Sequence, residues 1–227
     1  MTELNERMRA VSMPPRIRRL PVSPAGFPVP WFIQWFDGGK PCAPGDGVPD
    51  FRVFDAGKLR LAIKARRCWV CGGQLGVHLA FVIGPMCSIN RVISEPPSHR
   101  ECAVFSATAC PFLSQPRMRR NAKDLPEHRS VAGHSIDRNP GAACVWVTRA
   151  YEPFNTNVGG PGVLFRIGPP EETLWFAHGR AATRREVVDS IEGGLPFLAA
   201  EAARQGQEAV DALKGQIAAA MPLLPAA

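Results

Sequence analysis

Two short segments, CWVCGG (68–73) and SHREC (98–102), each carry a pair of metal-ligand side chains separated by two residues. The four candidate ligands are Cys68, Cys71, His99 and Cys102. Three thiols and one imidazole are a common structural ligand set for Zn2+, which binds four such groups in a tetrahedron. The pair spacing is of the kind that zinc sites use, and it predicts a metal centre in the middle of the chain.

The residues around these segments predict the elements that would hold the ligands. Asp55 is placed to cap a short helix over 56–66. Alternating apolar residues over 77–83 predict a strand, and Gly84-Pro85 then turns the chain so that 89–93 can return as a second strand.

A second helix is expected over about 99–109. Ser98 and Glu101 have the spacing of a capping box, and Cys110 precedes a proline that ends the helix. His99 and Cys102 are then three residues apart in the first turn and share one face of the helix. The amides and dipole at a helix start also favour an anionic thiolate.

The order of knuckle, hairpin and helix with two ligands in its first turn resembles the treble-clef zinc finger. The resemblance covers roughly residues 66–112, about a fifth of the chain. It implies an α+β fold with additional antiparallel strands and a C-terminal helical tail. A wider set of segments, including CWVCG, FVIGPMC, PPSHREC and CPFL, is similar to an uncharacterised group of bacterial and phage proteins, which implies no function.

A closed set of four ligands favours a structural metal over a catalytic one, so the cofactor we expect is one structural Zn2+ per chain. Such a site can contribute on the order of 10 kcal/mol to folding. The identity of the fourth ligand stays open at this point. Cys87 follows the Gly84-Pro85 turn and Cys110 lies at the helix end, and either could replace His99.

The remainder of the chain divides by composition into an arm, the zinc module, a linker, a strand region and a tail. The expected bounds are 1–50 for the proline- and aromatic-rich arm, 51–115 for the module, 116–141 for the basic linker, 142–180 for the strands and 181–227 for the tail.

The arm is expected to have little regular structure and to pack its aromatic rings on the module. Strands are predicted over 144–148, 163–167 and 173–177, with the last two as a hairpin.

The tail is expected to begin with a helix that a capping box at Thr183 and Glu186 opens and Gly193-Gly194 ends. A last helix would then run over about 196–221. Its narrow apolar stripe could pack on the same chain or pair with a second copy.

Composition limits the classes of protein that the sequence allows. The chain has 227 residues, 21 glycines and 23 prolines, and a net charge of +7. No apolar run reaches the ~18 residues of a membrane span. No secretory signal is evident, so clustered cysteines in a reducing cytoplasm suggest a metal before disulfides.

The positive charge clusters around the metal motif and favours nucleic acid as a partner. Five cations and no acid occur between Lys58 and Arg67. The residues expected to contact nucleic acid are Arg66, Arg67, Trp69, Arg117, Arg119 and Arg120, with Trp69 stacking on a base. The alternative is a protein partner bound through the aromatic arm or the tail helix. The sequence indicates no small-molecule substrate.

A second alternative is enzymatic. His78, Asn90 and His99 occur in an order similar to that of the ββα-metal (HNH-like) nucleases, in which a strand histidine activates water. Val77 stands where that family usually has a metal ligand, and His99 would have to leave the zinc site. The expectation is therefore a binding protein without catalysis.

Overall fold

The computed structural model describes residues 3–115, 117–119, 138–157 and 161–226. These residues form a mixed structure of helices and three antiparallel sheets, as expected for an α+β fold. Most of the predicted basic linker 116–141 lies outside the described residues.

The N-terminal 50 residues have more regular structure than their proline content predicts. Their elements are α1 (Glu6–Ala10), α2 (Pro15–Arg18), β1 (Ile33–Asp37), β2 (Lys40–Cys42) and β3 (Val48–Phe54). The three strands form a sheet in the order β2-β1-β3. Prolines are tolerated because they stand at helix starts, in connections and on the outer strands of this sheet, where a missing N–H removes no central ladder bond.

Helix α3 (Ala56–Lys64) follows β3 directly and confirms the first predicted helix. The Asp55 carboxylate accepts hydrogen bonds from the amides of Gly57 and Lys58, at 2.7 and 3.2 Å. Ala62 is fully buried on the inner face of the helix, while Arg60, Leu61 and Lys64 are exposed. The helix therefore presents a basic outer face.

A four-stranded sheet in the order β10-β9-β6-β4 forms the centre of the fold. Its strands are β4 (Leu79–Ile83), β6 (Ala143–Thr148), β9 (Glu172–Ala177) and β10 (Arg180–Ala181). All six residues of β6 are buried, because both of its faces are covered. Trp146 points into the main core, whereas Val145 and Val147 pack with Ala103 and Ala107 of α5 (Arg100–Ala109).

A second sheet has the order β5-β8-β7, with strands β5 (Val92–Ile93), β7 (Tyr151–Thr156) and β8 (Gly162–Ile167). Both hairpins predicted from the sequence are wrong. Residues 85–90 form helix α4 (Pro85–Asn90), and β5 pairs with β8 instead of returning along β4. β8 and β9 are both strands, but they belong to different sheets. β4 and β5 each pair with a strand that is distant in sequence, which a local pattern does not specify.

Helix α5 has nearly the predicted bounds, but its predicted capping box does not form. His99 is the N-cap residue and no side chain caps it. The backbone of Ser98 instead exchanges hydrogen bonds with Ala80 of β4, and the Glu101 carboxylate pairs with Arg16 at 3.1 Å. The Ser98 amide and the Glu101 carboxylate, which would bond to each other in a capping box, therefore bond to distant residues instead. A short helix, α6 (Pro111–Ser114), follows.

The C-terminal tail consists of α7 (Arg184–Gln205), α8 (Gln207–Ala220) and a 3-10 turn at Met221–Leu223. The expected end at Gly193-Gly194 is wrong, since α7 runs through both glycines and through Pro196. Gly194 leaves room for the Met86 side chain, which would have to shift because a Cβ atom at this position would lie 2.7 Å from it. The break between the helices falls instead at Gly206, with φ +106°.

The apolar stripe of α8 packs on its own chain. Leu213 is buried in the main core, and Val210, Ile217 and Met221 pack against that core. Among the described residues, no helix has the length and apolar character needed to cross a membrane.

The capping box of α7 gives a first testable prediction. The Thr183 hydroxyl accepts from the Glu186 amide, and the Glu186 carboxylate accepts from the Thr183 amide at 2.8 Å. We expect Thr183→Ala to lower the free energy of unfolding by about 1 kcal/mol, measured by urea denaturation. Arg185→Ala, at a highly exposed position in the same turn, is the control and should change it by less than about 0.5 kcal/mol. Equal stability of the two variants would contradict a stabilising cap.

Candidate metal centre

The first ligand pair lies in a tight knuckle between α3 and β4. Cys68 donates its amide to the Gly73 carbonyl and accepts from the Gly72 amide, both at 2.8 Å. Gly72 has φ +71°, and a Cβ atom there would lie 2.7 Å from the Trp31 ring. Glycine is therefore required both for the backbone conformation and for the close approach of the arm.

The second ligand pair is presented by the start of α5. His99 immediately precedes the helix, and Cys102 lies in its first turn with no exposed surface. The hydrogen bonds between Ala80 and Ser98, at 2.9 and 2.7 Å, fix this start against β4. The central sheet thus holds the second pair at a fixed position relative to the knuckle.

The fold brings all four predicted ligands together. One ligand atom from each of Cys68, Cys71, His99 and Cys102 lies within 4.8 Å of the others. The Nδ1 atom of His99 is 3.4 Å from the Cys71 sulfur and 3.9 Å from the Cys102 sulfur. A nitrogen and a sulfur on one tetrahedral zinc would be roughly 3.6 Å apart, given bond lengths of about 2.1 and 2.3 Å. The cluster therefore has the size and donor set to hold a metal ion.

The hydrogen bond on the far side of the His99 ring supports the same role. Its Nε2 atom lies 2.9 Å from the Gln74 carbonyl oxygen, which can only accept. Nε2 therefore carries the proton, and Nδ1 presents its lone pair to the thiols. A backbone carbonyl that fixes the tautomer of a ligating histidine is a recurrent feature of metal sites.

The pKa values of the clustered thiols also differ from those of free cysteines. Hydrogen bonds from the Cys102 and Cys71 thiols, with the backbone amides of Cys71 and His99, hold the pKa of Cys68 well below its usual range. Hydrogen bonding to Cys68 and Cys71, together with burial, raises the pKa of Cys102. A divalent ion binds thiols in their deprotonated form, so affinity for metal falls as the pH is lowered.

The structure excludes the two alternative fourth ligands from this cluster. Cys87 lies in α4, where burial raises the pKa of its thiol to about 11. Cys110 ends α5, and burial likewise raises the pKa of its thiol. Neither belongs to the group of ligand atoms within 4.8 Å, whereas His99 does.

The N-terminal arm covers the knuckle. Trp31 donates its amide to the Val70 carbonyl at 2.7 Å, and Phe32 stacks on Trp69 with ring centroids 4.5 Å apart. Trp69 is only 4% exposed, so the expectation that it stacks on a nucleic-acid base is wrong. Its place beside the first cysteine makes it a packing residue. The sequence predicted that the arm packs on the zinc module, but it did not indicate that Trp69 is the residue on which the arm packs.

The predicted basic residues separate into two places. Arg66 and Arg67 are exposed at the start of the knuckle. Arg117 and Arg119 are also exposed but lie beyond α6, with Arg119 bridged to Arg138. Arg120 lies outside the described residues. The exposed cations of α3, Arg60 and Lys64, immediately precede Arg66 and Arg67 and belong to the same basic run of the sequence.

The three residues of the nuclease alternative do not assemble. His78 lines a cleft of about 440 Å3 with His99, whereas Asn90 lines a separate groove beside α8. The His78 ring pairs with Glu171 at 2.8 Å, and Glu171 also pairs with Arg149 at 2.6 Å. His99 is a member of the metal cluster. The constellation that motivated a nuclease is therefore absent among the described residues.

Comparison of the chain with protein-family models, with curated proteins and with solved structures finds no significant match.

Proposed function

We propose that this chain is a zinc-stabilised, non-catalytic protein that binds nucleic acid through basic residues beside its metal centre. Zinc is the metal that best suits three thiolates and an imidazole in a closed set. A knuckle followed by a helix that carries two ligands supports a relation to the treble-clef finger. The intervening segment departs from that pattern, because α4 stands where a hairpin strand was expected.

The observation that carries the proposal is a group of cations without acidic partners. Within the described residues, Arg60, Lys64 and Arg67 are exposed and have no carboxylate in ion-pair distance. Cations in the tail are different, since Arg185, Arg204 and Lys214 each pair with an acid on the same helix. Unpaired cations keep their charge available for phosphates, whose contacts supply most of non-specific binding.

The metal centre would fix the position of this basic surface. Arg67 directly precedes Cys68, and its amide donates to the Ala62 carbonyl of α3 at 3.2 Å. Arg66, with φ +48°, donates its guanidinium to the Gly76 carbonyl at 3.1 Å on the other side of the knuckle. Both arginines are thus tied to the loop that holds the metal ligands.

The surfaces suggested for a protein partner are used within the chain. The aromatic arm packs on the knuckle, and the stripe of α8 packs on the main core. Val48 and Phe197 stay exposed in these two regions, but the arm rings and the α8 stripe that suggested a protein partner are at least partly buried, so we favour nucleic acid as the partner.

Salt dependence tests the proposal directly. We expect binding of a labelled mixed-sequence oligonucleotide to weaken steeply with salt, measured by fluorescence anisotropy between 50 and 200 mM KCl, the range over which such binding changes most. Replacing Arg60, Lys64 and Arg67 by Gln should make the slope of log K against log salt shallower by roughly 2–3, because three phosphate contacts are lost.

A matched triple variant serves as the control. Arg185→Gln, Arg204→Gln and Lys214→Gln remove the same charge from exposed positions that already have acidic partners. The proposal predicts nearly the same slope as in the unmodified protein. Equal losses in both triple variants would show that net charge alone drives binding, and no salt-dependent binding at all would refute the function.

A further inference from the structure

Of the five large apolar side chains that stay exposed among the described residues, Leu61 lies on the basic helix α3 and Val77 lies in the segment that Arg66 contacts. Leu61 is 52% exposed on the outer face of α3, next to Arg60 and one position from the buried Ala62. Val77 is 60% exposed and follows Gly76, the residue whose carbonyl accepts from Arg66. Exposed apolar side chains concentrated in one charged region often mark an interaction site.

Backbone hydrogen bonds connect the two chain segments that carry these residues. The amide of Arg67 bonds to Ala62, which places the start of the knuckle against the last turns of α3. Arg67 also bridges to Gln74, and the Leu75 amide donates to the Arg66 carbonyl at 3.0 Å. We call the surface the basic–apolar surface; its members are Arg60, Leu61, Lys64, Arg66, Arg67 and Val77.

The apolar members distinguish between forms of nucleic acid. The outside of a duplex presents phosphates and sugars, and an aliphatic side chain set among phosphate contacts gains little from them. Unstacked bases, in contrast, offer apolar faces that side chains can cover. Arg60 and Lys64 are four residues apart on α3, about 6 Å along the helix axis, so they can contact successive phosphates of one strand.

From this arrangement we infer that the basic–apolar surface binds single-stranded nucleic acid in preference to a duplex. Cations contact the phosphates, and Leu61 and Val77 contact the faces of unpaired bases. The inference rests on the proposed function, because it names the form of nucleic acid that the same surface takes.

An anionic lipid surface is the main competing occupant, and the packing of α3 disfavours it. Interfacial helices insert a continuous apolar face into the headgroup region. In α3 that face is already used, since Ala62 is buried and Leu59 and Ile63 pack against the main core. One leucine on a nine-residue helix is too small an apolar face to anchor the protein in a bilayer.

The test compares one 20-nucleotide sequence as RNA, as single-stranded DNA and as duplex DNA at a single salt concentration. The full-length protein with bound zinc is titrated against each, and against vesicles of phosphatidylserine and phosphatidylcholine. We expect single strands to bind at least about tenfold more tightly than the duplex, since covering Leu61 and Val77 with unpaired bases removes their apolar surface from water.

Variants separate the apolar contacts from the charge contacts. Leu61→Ser and Val77→Ser together should weaken single-strand binding about tenfold, because both variants lose apolar surface that the bases would cover, and should leave both duplex binding and the salt slope unchanged. Phe197→Ser is the matched control, because Phe197 is 63% exposed on α7, outside this surface, and should have no effect. Circular dichroism checks that the variants remain folded.

The outcomes distinguish the inference from the proposed function. Equal binding of strand and duplex, or no loss in the Leu61 and Val77 variant, overturns the inference while salt-dependent binding still supports the function. Vesicle binding tighter than single-strand binding also overturns it. If none of the three nucleic acids shows salt-dependent binding, both the proposed function and this inference are refuted.

Discussion

Elemental mass spectrometry of the protein purified without added metal is expected to find about one zinc ion per chain, because the described residues contain one closed Cys3His set, the kind that zinc prefers. The same measurement on Cys68→Ser should find almost none. Cys68 has no exposed surface, and its sulfur accepts from the amides of Cys71 and His99, each at 3.4 Å. Serine is nearly the same size but is a poor zinc ligand, so the change removes a ligand without creating a large cavity.

Loss of the metal should unfold much of the protein. A structural zinc contributes on the order of 10 kcal/mol, which is comparable to the entire net stability of a typical domain, about 5–15 kcal/mol. We therefore expect Cys68→Ser to be insoluble or unfolded by circular dichroism, and excess EDTA to lower the melting temperature of the unmodified protein sharply.

Cys144→Ser is the control for the change of sulfur to oxygen in a buried site. Cys144 also has no exposed surface, but it lies in β6 and outside the metal cluster. This variant should keep its zinc and lose only about 1–3 kcal/mol from burying a hydroxyl. A well-folded wild-type protein without any metal would refute the structural metal centre. The proposed function would then lack the metal site that fixes the position of its basic residues.

Trp146→Ala is expected to have the largest effect of any single change in the core away from the metal. Trp146 has no exposed surface and stands opposite Phe81 on one side and Thr173 on the other. Its indole N–H donates to the Gly168 carbonyl at 2.9 Å, and the Arg91 guanidinium lies 5.7 Å from its ring. Removing the ring should cost about 3–5 kcal/mol, from lost burial and an unfilled cavity.

Guanidinium denaturation at saturating zinc measures this cost. Trp146→Phe keeps most of the ring but leaves the Gly168 carbonyl without its donor, so its effect should be smaller, about 1–3 kcal/mol. Phe197→Ala truncates an exposed aromatic side chain and should change the free energy of unfolding by less than about 0.5 kcal/mol. Similar losses for Trp146→Ala and Phe197→Ala would contradict the role of β6 as the centre of the core.

The parts of the structure that the sequence determined are those that depend on neighbours a few residues apart. Asp55 and Thr183 each cap the helix that the spacing predicted, because a cap bonds to amides two or three residues later. The strand around 144–148 was evident from its continuous apolar residues. The two residue pairs of the candidate metal cluster were likewise predicted, since each pair occupies one turn of chain, although Cys87 and Cys110 stayed open as replacements for His99.

Only the tertiary structure decided how the strands pair and which side chains stay exposed. β4 pairs with β6, and β5 with β8, across long stretches of chain, because burial of both faces of the central sheet outweighs the nearer partner. The tertiary structure also places the Nδ1 atom of His99 beside the cysteine thiols and leaves Cys87 and Cys110 outside the cluster. It buried Trp69 beneath the arm and left the basic face of α3 in solvent, since a side chain's exposure depends on which distant segment packs against it.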